Sequence, residues 1–348
     1  MPIPDILASG GLDTPTEYVS VAEAQKLARA SYGLNGAFTR FATEKDDTFR
    51  ILTQDGKGYV LKIANPAENE LEIDLQIEAL KHLEQKQPDL NVPRVLQDTS
   101  GNWSVHYNSS DGSTRLVRLL TYMAGTPLDN TTASPSERIK IGHILGRLRL
   151  ALADFNHPGE ARKLAWDIQH LPELEPLLDD IENPGHKKLL SEGFYKFLAI
   201  VPNLQQLRRQ VLHNDFSRSN LVVDHDNADF VTGIIDFGDV VQTAVAIDVS
   251  TAMLNQLPRT EEADPFAPCR DILRGYLEVA DLTEQELVLL PCLVMGRIIT
   301  RALLSLWRAQ MFPQNAEYIL RNTEQGWWQL KWFLSRSHNE LTEMLLKK

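Results

Sequence analysis

The sequence predicts an α+β fold of two lobes, in which a small antiparallel β-rich lobe precedes a larger helical lobe. With 348 residues, 43% of them apolar, the chain is long enough for each lobe to bury a core of its own. Short strand-like runs with turn signals between them fill residues 1–124. Long stretches with apolar residues at helical spacing fill residues 125–348, and one β-like segment, 211–241, interrupts them.

The N-terminal lobe begins with a predicted irregular arm over residues 1–20, which contains three prolines and two glycines. Ser20 or a neighbour is the predicted N-cap of a helix over 21–33, and Gly33 marks its end. The sequence 54-QDG-56 is a hairpin signal between two of the predicted strands. The other predicted elements of this lobe are a helix at 69–85 and strands at 37–41, 48–53, 58–64, 93–97, 102–107 and 114–123.

The second lobe begins where the pattern changes, at 124–130, so we place the boundary between the lobes after residue 124. Its first predicted helix covers 136–155, where Ile141, Leu145 and Leu148 recur on one face. Further helices are predicted at 268–279, 284–310 and 314–335.

The charge balance and the cysteine content limit the possible partners and compartments. Acidic residues outnumber basic ones, 47 against 35, which disfavours a partner that requires a dense basic face, so we expect no nucleic-acid partner. The two cysteines, Cys269 and Cys292, are too few for a disulfide framework and lack metal-ligand spacing. Neither a signal-peptide pattern nor a run of about 18 apolar residues is present, so we expect a cytoplasmic protein outside the membrane.

The segment 211–241 holds the strongest chemical signal in the chain. Asn220 begins one short apolar run of this segment, and Asp236 ends the next. If the two runs pair as an antiparallel hairpin, these side chains meet close to Asp215. Amide and carboxylate oxygens suit Mg²⁺, which completes its coordination with water and phosphate oxygens. Three further aspartates, at 224, 226 and 229, predict the exposed turn of the hairpin.

The stretch 213-HNDFSRSN-220, together with Asp236, resembles the catalytic and metal-binding loops of the aminoglycoside phosphotransferase and choline kinase superfamily. That resemblance implies a protein-kinase-like, two-lobed fold. It implies that Asp215 is the catalytic base, that Asn220 and Asp236 are the Mg²⁺ ligands, and that His213 supports the loop. Phosphoryl transfer requires these parts together with a lysine that holds the nucleotide phosphates.

The resemblance extends to the nucleotide site of the N-terminal lobe. Lys62, in the otherwise apolar run 59-YVLKIA-64, matches the strand lysine that holds the phosphates of ATP or GTP in the family. Family members pair this lysine with an acid on the following helix. Glu72 is the first choice for that acid, and Asp74 and Glu78 are the alternatives.

The same resemblance implies a hinge and a phosphate-covering loop. In the hinge, the backbone groups of Thr121, Tyr122 and Met123 are expected to bond the base of the nucleotide. In the loop, backbone amides and the hydroxyl of Thr43 or Thr48 are expected to cover the phosphates. No GxGxxG motif is present, which argues against an ordinary protein kinase.

Three blocks of the sequence are more narrowly similar to the hydroxylysine kinase branch of the superfamily. The loop after the first strand in that branch reads approximately Ser-Glu-Arg-Asp-Gln-Asn-Phe. The corresponding 43-TEKDDTF-49 keeps the shape and departs at Asp46, Asp47 and Thr48. The similar blocks are 31–51, 60–76 and 164–168.

Residues that recognise the acceptor are expected on the helical lobe. Asp167 and Asp248 are candidates for an ammonium group, whereas Arg297 and Arg301, one helical turn apart, are candidates to clamp a carboxylate. Each of the four has an alternative role in tying helices together. Arg218 either neutralises the transferred phosphoryl group or pairs with Asp215 or Asp226.

The predicted function is that of a small-molecule kinase that uses Mg²⁺ and transfers the γ-phosphoryl group of ATP or GTP to a hydroxyl of an amine-bearing metabolite. Hydroxylysine or a related hydroxy amino acid is the first choice of acceptor. Homoserine, choline, ethanolamine and aminoglycosides are the alternatives within the class. The alternative from another class is a non-catalytic scaffold that binds nucleotide.

Overall fold

The computed structural model describes residues 4–8, 18–41, 43, 46–110 and 112–347. Most of the predicted irregular arm lies outside these residues. Contrary to that prediction, Asp5–Ala8 form a short helix, α1, whose Ile6 and Leu7 are 1% and 0% exposed. These two apolar side chains join the main core and so anchor the segment to the protein.

The N-terminal lobe is an antiparallel sheet of six strands, as predicted, and it has helices on both faces. The strand order is β1-β2-β3-β6-β4, and β5 also pairs with β6. Three residues on adjacent strands form a row across the sheet, with Thr48 opposite Lys62 and Lys62 opposite Arg118. The elements are α2 (Val21–Tyr32), β1 (Ala37–Phe41), β2 (Asp47–Leu52), β3 (Gly58–Ile63), α3 (Glu70–Lys86), β4 (Val95–Leu96), β5 (Val105–Asn108) and β6 (Thr114–Thr121).

Alternation along the strands divides this sheet into two faces. One face packs on α2, and its core consists of residues such as Phe49, Leu61 and Val117, all fully buried. The row with Lys62 lies on the other face, toward α3 and the second lobe. Ser20 caps α2 through a reciprocal bond with Glu23, as the sequence predicted. The lysine is therefore fixed by a sheet whose opposite face is an apolar core.

The second lobe is mostly helical and contains two small antiparallel sheets, β10-β9-β7 and β11-β8. The predicted hairpin of 211–241 is confirmed as β9 and β10, and residues 224–229 between them are exposed. The predicted helix at 314–335 is two helices, separated at 321–323. The elements are β7 (Thr126–Pro127), α4 (Pro135–Ala151), α5 (Pro184–Leu198), α6 (Val201–Leu204), β8 (Arg209–Leu212), β9 (Leu221–Val223), β10 (Val231–Ile234), β11 (Val241–Ala244), α7 (Val245–Leu254), α8 (Ala267–Val279), α9 (Glu284–Met311), α10 (Ala316–Leu320), α11 (Glu324–Leu334) and α12 (His338–Leu346), with 3-10 turns at Leu128–Asn130, Ile168–Leu178, Arg218–Asn220, Phe237–Asp239 and Pro313–Asn315.

Helix α9 is the central helix of this lobe. Among the described helices it alone is long and apolar enough to span a membrane by composition, yet 83% of its most apolar window is buried inside the protein. That burial is typical of the core helix of a globular domain. Helices α4 and α8 pack closely at two glycines, since a Cβ on Gly142 would lie 2.1 Å from the Ile272 carbonyl oxygen and one on Gly275 would lie 2.0 Å from that of Ile139.

Helix α7 is buried along its whole length and carries one acid, Asp248, which is 2% exposed. Its Oδ1 accepts the backbone N–H of Asn214 at 2.9 Å. Asn214 has a left-handed backbone with φ of 62°, so the bond anchors an unusual turn immediately before Asp215. Burial raises the pKa of Asp248 to about 6, although His213, the Asn214 N–H and Arg297 favour its charged form.

We predict that Asp248 makes the stability of the fold depend on pH. Because its folded-state pKa is raised from 3.8 to about 6, its stabilising contribution is fully present below 3.8 and is lost as the pH rises through about 6. The free energy of unfolding of the wild type, relative to Asp248→Asn, is expected to fall by about 3 kcal/mol across that window. Urea denaturation from pH 4 to 7 measures this difference, and a difference that stays constant with pH would contradict the assignment.

Candidate active site

The hairpin β9–β10 brings Asn220 and Asp236 together. Leu221 is opposite Ile234, and the Ile235 N–H donates to the Asn220 carbonyl at 2.9 Å, immediately before Asp236. The backbone pairing therefore places the two predicted residues at the same end of the hairpin. The short apolar strands behind them are buried, which fixes the two polar residues at the boundary between the core and the cleft.

Asp236 has a backbone conformation that few residues other than glycine adopt. Its φ is 59° and its ψ is 77°, and its Oδ1 accepts the N–H of Gly238 at 3.3 Å. Its side chain also pairs with the ammonium group of Lys62 at 2.9 Å. Such a conformation persists only where the surroundings hold it, and it aims the carboxylate into the cleft between the lobes.

Asp215 lies at the tip of the loop after β8, partly exposed to solvent. The amide nitrogen of Asn220 donates to its Oδ2 at 2.6 Å and to its carbonyl at 3.0 Å. That orientation leaves the amide oxygen of Asn220 directed away from Asp215.

His213 supports this loop from inside the protein, where it is 0% exposed. Its Nε2 lies 3.1 Å from the Ile235 carbonyl, and its Nδ1 accepts the Asp215 N–H at 3.3 Å. A carbonyl on one side and a donor on the other place the ring proton on Nε2. One imidazole therefore connects the loop of Asp215 to the strand that carries Asp236.

Lys62 is 12% exposed and lies between two acids, Asp236 at 2.9 Å and Asp46 at 3.4 Å. Burial opposes its charged form, but the two carboxylates outweigh that effect and raise its pKa. In turn Lys62, acting against burial, lowers the pKa of Asp236. All three groups are therefore charged at neutral pH.

The prediction that Glu72 pairs with Lys62 is wrong for this structure. Glu72 pairs instead with Arg162, at 3.1 Å. The acid beside Lys62 is Asp46, which also binds Arg118 at 3.2 Å. Arg118 is directly opposite Lys62 on the sheet, and two facing cations require an acid between them. This cross-strand pair was a signal in the sequence that the search along α3 missed.

The oxygens at the site fit a magnesium ion in number and kind. No group of three or more His, Cys, Asp or Glu side chains in the described part of the chain is arranged to hold a metal. Mg²⁺ does not need such a cage, since it is usually bound by one or two protein side chains with water and phosphate oxygens. Asn220 and Asp236 provide one amide and one carboxylate oxygen at the end of the hairpin.

The predicted hinge follows β6. Thr121 and Tyr122 use their backbone N–H groups within the protein, bonding the carbonyls of Arg94 at 2.9 Å and Gly58 at 3.1 Å. Across residues 46–110 and 112–347, no partner accepts the Met123 N–H, so this donor is available to a ligand.

The two threonines expected at the phosphates have different surroundings. The Thr43 hydroxyl donates to the carbonyl of Asp46 and so braces the loop between β1 and β2. Thr48 is 5% exposed, on the same face as Lys62, and its hydroxyl makes no hydrogen bond with the described residues. Residues 42, 44 and 45 of this loop lie outside the description.

Arg218 does not reach the predicted acids in the structure. Its guanidinium donates to the carbonyls of Leu128 at 3.0 Å and Thr131 at 2.5 Å, and it pairs with Asp129 at 3.5 Å. These bonds tie the catalytic loop to the start of the second lobe. Because its donors face that connection, the prediction of contact with a transferred phosphoryl group is corrected to an anchoring role.

The two acids expected to bind an ammonium group are used by the protein itself. Asp167 is 0% exposed and caps the turn Ile168–Leu178 through the Gln169 N–H at 3.1 Å, while accepting the Thr243 hydroxyl at 3.1 Å. Asp248 accepts the Asn214 N–H, as described above. Both predictions are therefore corrected, because each carboxylate is sealed in the core and already bonded.

Arg297 and Arg301 form a pair of cations without an acidic partner. In the described residues neither lies within 4.0 Å of an Asp or Glu oxygen; Arg297 bonds the carbonyl of Trp166, and Arg301 bonds Gln329 at 3.2 Å. Arg297 is 7% exposed, and burial together with Arg297 lowers the pKa of Arg301 to about 10. The indole N–H of Trp166, the residue whose carbonyl Arg297 bonds, is buried and finds no acceptor among the described residues. This group of donors fits an anion.

The comparisons with known proteins agree with this geometry. The model of the phosphotransferase enzyme family matches residues 38–284. Hydroxylysine kinase of Mus musculus is 24% identical over 93% of this chain and 91% of its own length, and that of Danio rerio is 25% identical over 88% and 89%. These relatives confirm the similarity to the hydroxylysine kinase branch.

Solved structures show the same fold at low sequence identity. A microcompartment-associated aminopropanol kinase aligns with a TM-score of 0.71 at 20% identity, covering 91% of this chain and 98% of that one. An amicoumacin kinase, in complex with AMP-PNP, Ca²⁺ and its substrate, aligns with a TM-score of 0.67 at 17% identity over 88% and 94%. The predicted protein-kinase-like α+β fold is confirmed. Because the family model covers well over half of the chain, this protein belongs to the phosphotransferase enzyme family, and it is a phosphotransferase that acts on hydroxyl groups.

Proposed function

We propose that this small-molecule kinase transfers the γ-phosphoryl group of ATP or GTP to the side-chain hydroxyl of hydroxylysine or a related hydroxy amino acid. The observation that carries the proposal is the ion pair of Lys62 with Asp236 beside the hydrogen bond of Asn220 to Asp215, with the two pairs joined by the backbone bond from the Ile235 N–H to Asn220. It joins a phosphate-binding cation, two metal-binding oxygens and a base in one cleft. We also propose that the boundary between the two lobes follows residue 124 and that the protein is cytoplasmic.

In this mechanism Asp215 accepts the hydrogen bond of the acceptor hydroxyl and orients its oxygen toward the γ-phosphorus. Asn220 and Asp236 would hold Mg²⁺, which supplies charge neutralisation on the phosphate oxygens when bound. Lys62 holds the phosphates, and the Met123 N–H bonds the base of the nucleotide. Thr48, whose buried hydroxyl has no partner in the described part of the chain, faces the same side as Lys62 and supports a phosphate oxygen. Catalysis is then mainly positioning and electrostatic stabilisation.

The choice of an amino acid as acceptor rests on Arg297 and Arg301. Within the described residues no acid pairs with these two neighbouring cations, one of which is 7% exposed, so a bound anion would stabilise them. Arg297 also lies close enough to Asp248 to favour its charged form, and Asp248 holds the turn before Asp215. A carboxylate on these arginines would therefore lie in the lobe that carries the base. Homoserine shares that carboxylate, whereas choline, ethanolamine and aminoglycosides lack it.

Asp215→Asn is expected to lower kcat by about 10²- to 10⁴-fold, because the amide no longer accepts a proton from the hydroxyl. Nucleotide binding should persist, since Lys62 and the hinge remain. The measurement is release of ADP or GDP with hydroxylysine, homoserine, choline, ethanolamine and an aminoglycoside. Asp224→Asn, on the exposed turn of the same hairpin, is the matched control. An unchanged kcat for Asp215→Asn would refute the assignment of the base.

Arg297→Met is expected to raise KM about 10- to 100-fold for a carboxylate-bearing acceptor, because the variant loses a charged hydrogen bond to that carboxylate. The decarboxylated analogue of the same acceptor should show nearly the same KM with both enzymes. Arg297→Lys keeps the charge, so its KM should lie between those of the wild type and Arg297→Met. Arg321→Met, which changes an exposed arginine of the same lobe, is the control. Equal effects on both acceptors would mean that Arg297 only stabilises the fold.

A further inference from the structure

A short segment of the second lobe, 157-HPGEAR-162, forms a bridge between the lobes. On one side it contacts the first turn of α3, in the N-terminal lobe. His157 Nε2 lies 3.1 Å from Oδ2 of Asp74, and a Cβ added to Gly159 would lie 2.9 Å from the carbonyl oxygen of Leu71. Glycine at 159 is therefore required for the bridge to approach the helix this closely.

On its other side the bridge contacts the loop that follows Asp236. Arg162 Nε donates to the Val240 carbonyl at 3.0 Å, and its Nη2 donates to the Gly238 carbonyl. Glu160 fixes the bridge to β11, accepting the backbone and side-chain N–H groups of Gln242 at 2.8 Å each. The backbone two and four residues beyond Asp236 is thus held by one guanidinium.

The same guanidinium also holds α3. Its Nη1 binds Glu72 Oε2 at 3.1 Å, and the side chains of Arg162 and Glu72 are 6% and 22% exposed. All three nitrogens of this buried cation are satisfied, by one carboxylate in one lobe and two carbonyls in the other. An arginine fits this task because its planar fork of donors bonds several acceptors at fixed angles.

We propose that Arg162 is a positioning residue that couples α3 to the loop of Asp236, and that Glu72 acts through Arg162 rather than on Lys62. The proposal rests on the proposed function, in which Asp236 binds Mg²⁺. Asp236 has a left-handed backbone that needs external support, and in this structure Lys62 supports its side chain. When Lys62 turns to the nucleotide phosphates, that support is lost. The two carbonyl bonds from Arg162 then keep the loop in position.

The test is the Mg²⁺ dependence of the full-length enzyme at saturating nucleotide and acceptor. Arg162→Met is expected to raise the Mg²⁺ concentration for half-maximal rate by about 10- to 100-fold, as for other residues that orient metal ligands. KM for the acceptor should change little. Arg162→Lys and Glu72→Gln each keep part of the network and should give intermediate shifts. Hydrogen exchange of the amides at 237–242 should accelerate most in Arg162→Met and less in Arg162→Lys and Glu72→Gln.

Arg138→Met is the matched control, since Arg138 also combines an ion pair, with Asp271 at 2.7 Å, and a carbonyl bond, with Ala133 at 2.6 Å, away from the cleft. It should leave both the Mg²⁺ dependence and the exchange at 237–242 unchanged. If Arg162→Met and Arg162→Lys behave like this control, the coupling is refuted. If the wild type phosphorylates no acceptor, the proposed function fails, and the exchange measurement still decides whether Arg162 holds the loop.

Discussion

The ion pair between Lys62 and Asp236 is the contact on which the arrangement of the cleft depends. The two residues are 174 positions apart in the chain, and their side chains meet at 2.9 Å. The lysine is fixed by a strand of the N-terminal sheet, and the aspartate ends a hairpin of the helical lobe. Neither side chain can be moved relative to the other unless a buried strand moves with it. A shift of one residue along either strand would point the side chain into a hydrophobic core. The pair therefore sets the distance between the lobes at the site.

Charge balance around this pair explains how the cleft tolerates a change of ligand. Two cations, Lys62 and Arg118, face two acids, Asp46 and Asp236; the Asp236 side chain is 47% exposed, and the other three are at most 12% exposed. Asp46 stays bonded to Arg118 whichever partner Lys62 has. In the proposed function a metal replaces the lysine at Asp236, and the lysine gains phosphate oxygens. Every buried charge keeps a partner in both states, which avoids the large cost of an isolated buried ion.

The local part of the site was predictable from the sequence, and the long-range part was not. Asn220 and Asp236 belong to one hairpin, so the alternation of apolar runs and turn residues was sufficient to bring them together. The partner of Lys62 depended on the packing of α3 and on the cross-strand neighbour Arg118. A pattern along α3 alone therefore favoured Glu72. Asp167 and Asp248 were misassigned for a related reason, since their partners include a Thr243 hydroxyl and a backbone N–H that leave no pattern in the sequence.

These misassignments narrow the choice of substrate-recognition residues. Asp167 and Asp248 are sealed in the core, at 0% and 2% exposed, and already accept N–H or O–H donors, so neither carboxylate faces a ligand. Arg301 is a buried cation beside another cation, and burial together with Arg297 lowers its pKa, so a bound anion would stabilise its charged form. Arg297 and Arg301 are the pair in the described helical lobe for which the sequence prediction and this electrostatic argument agree. Recognition at this position would then depend on the acceptor's carboxylate, and its ammonium group would have to be bound by residues other than Asp167 and Asp248.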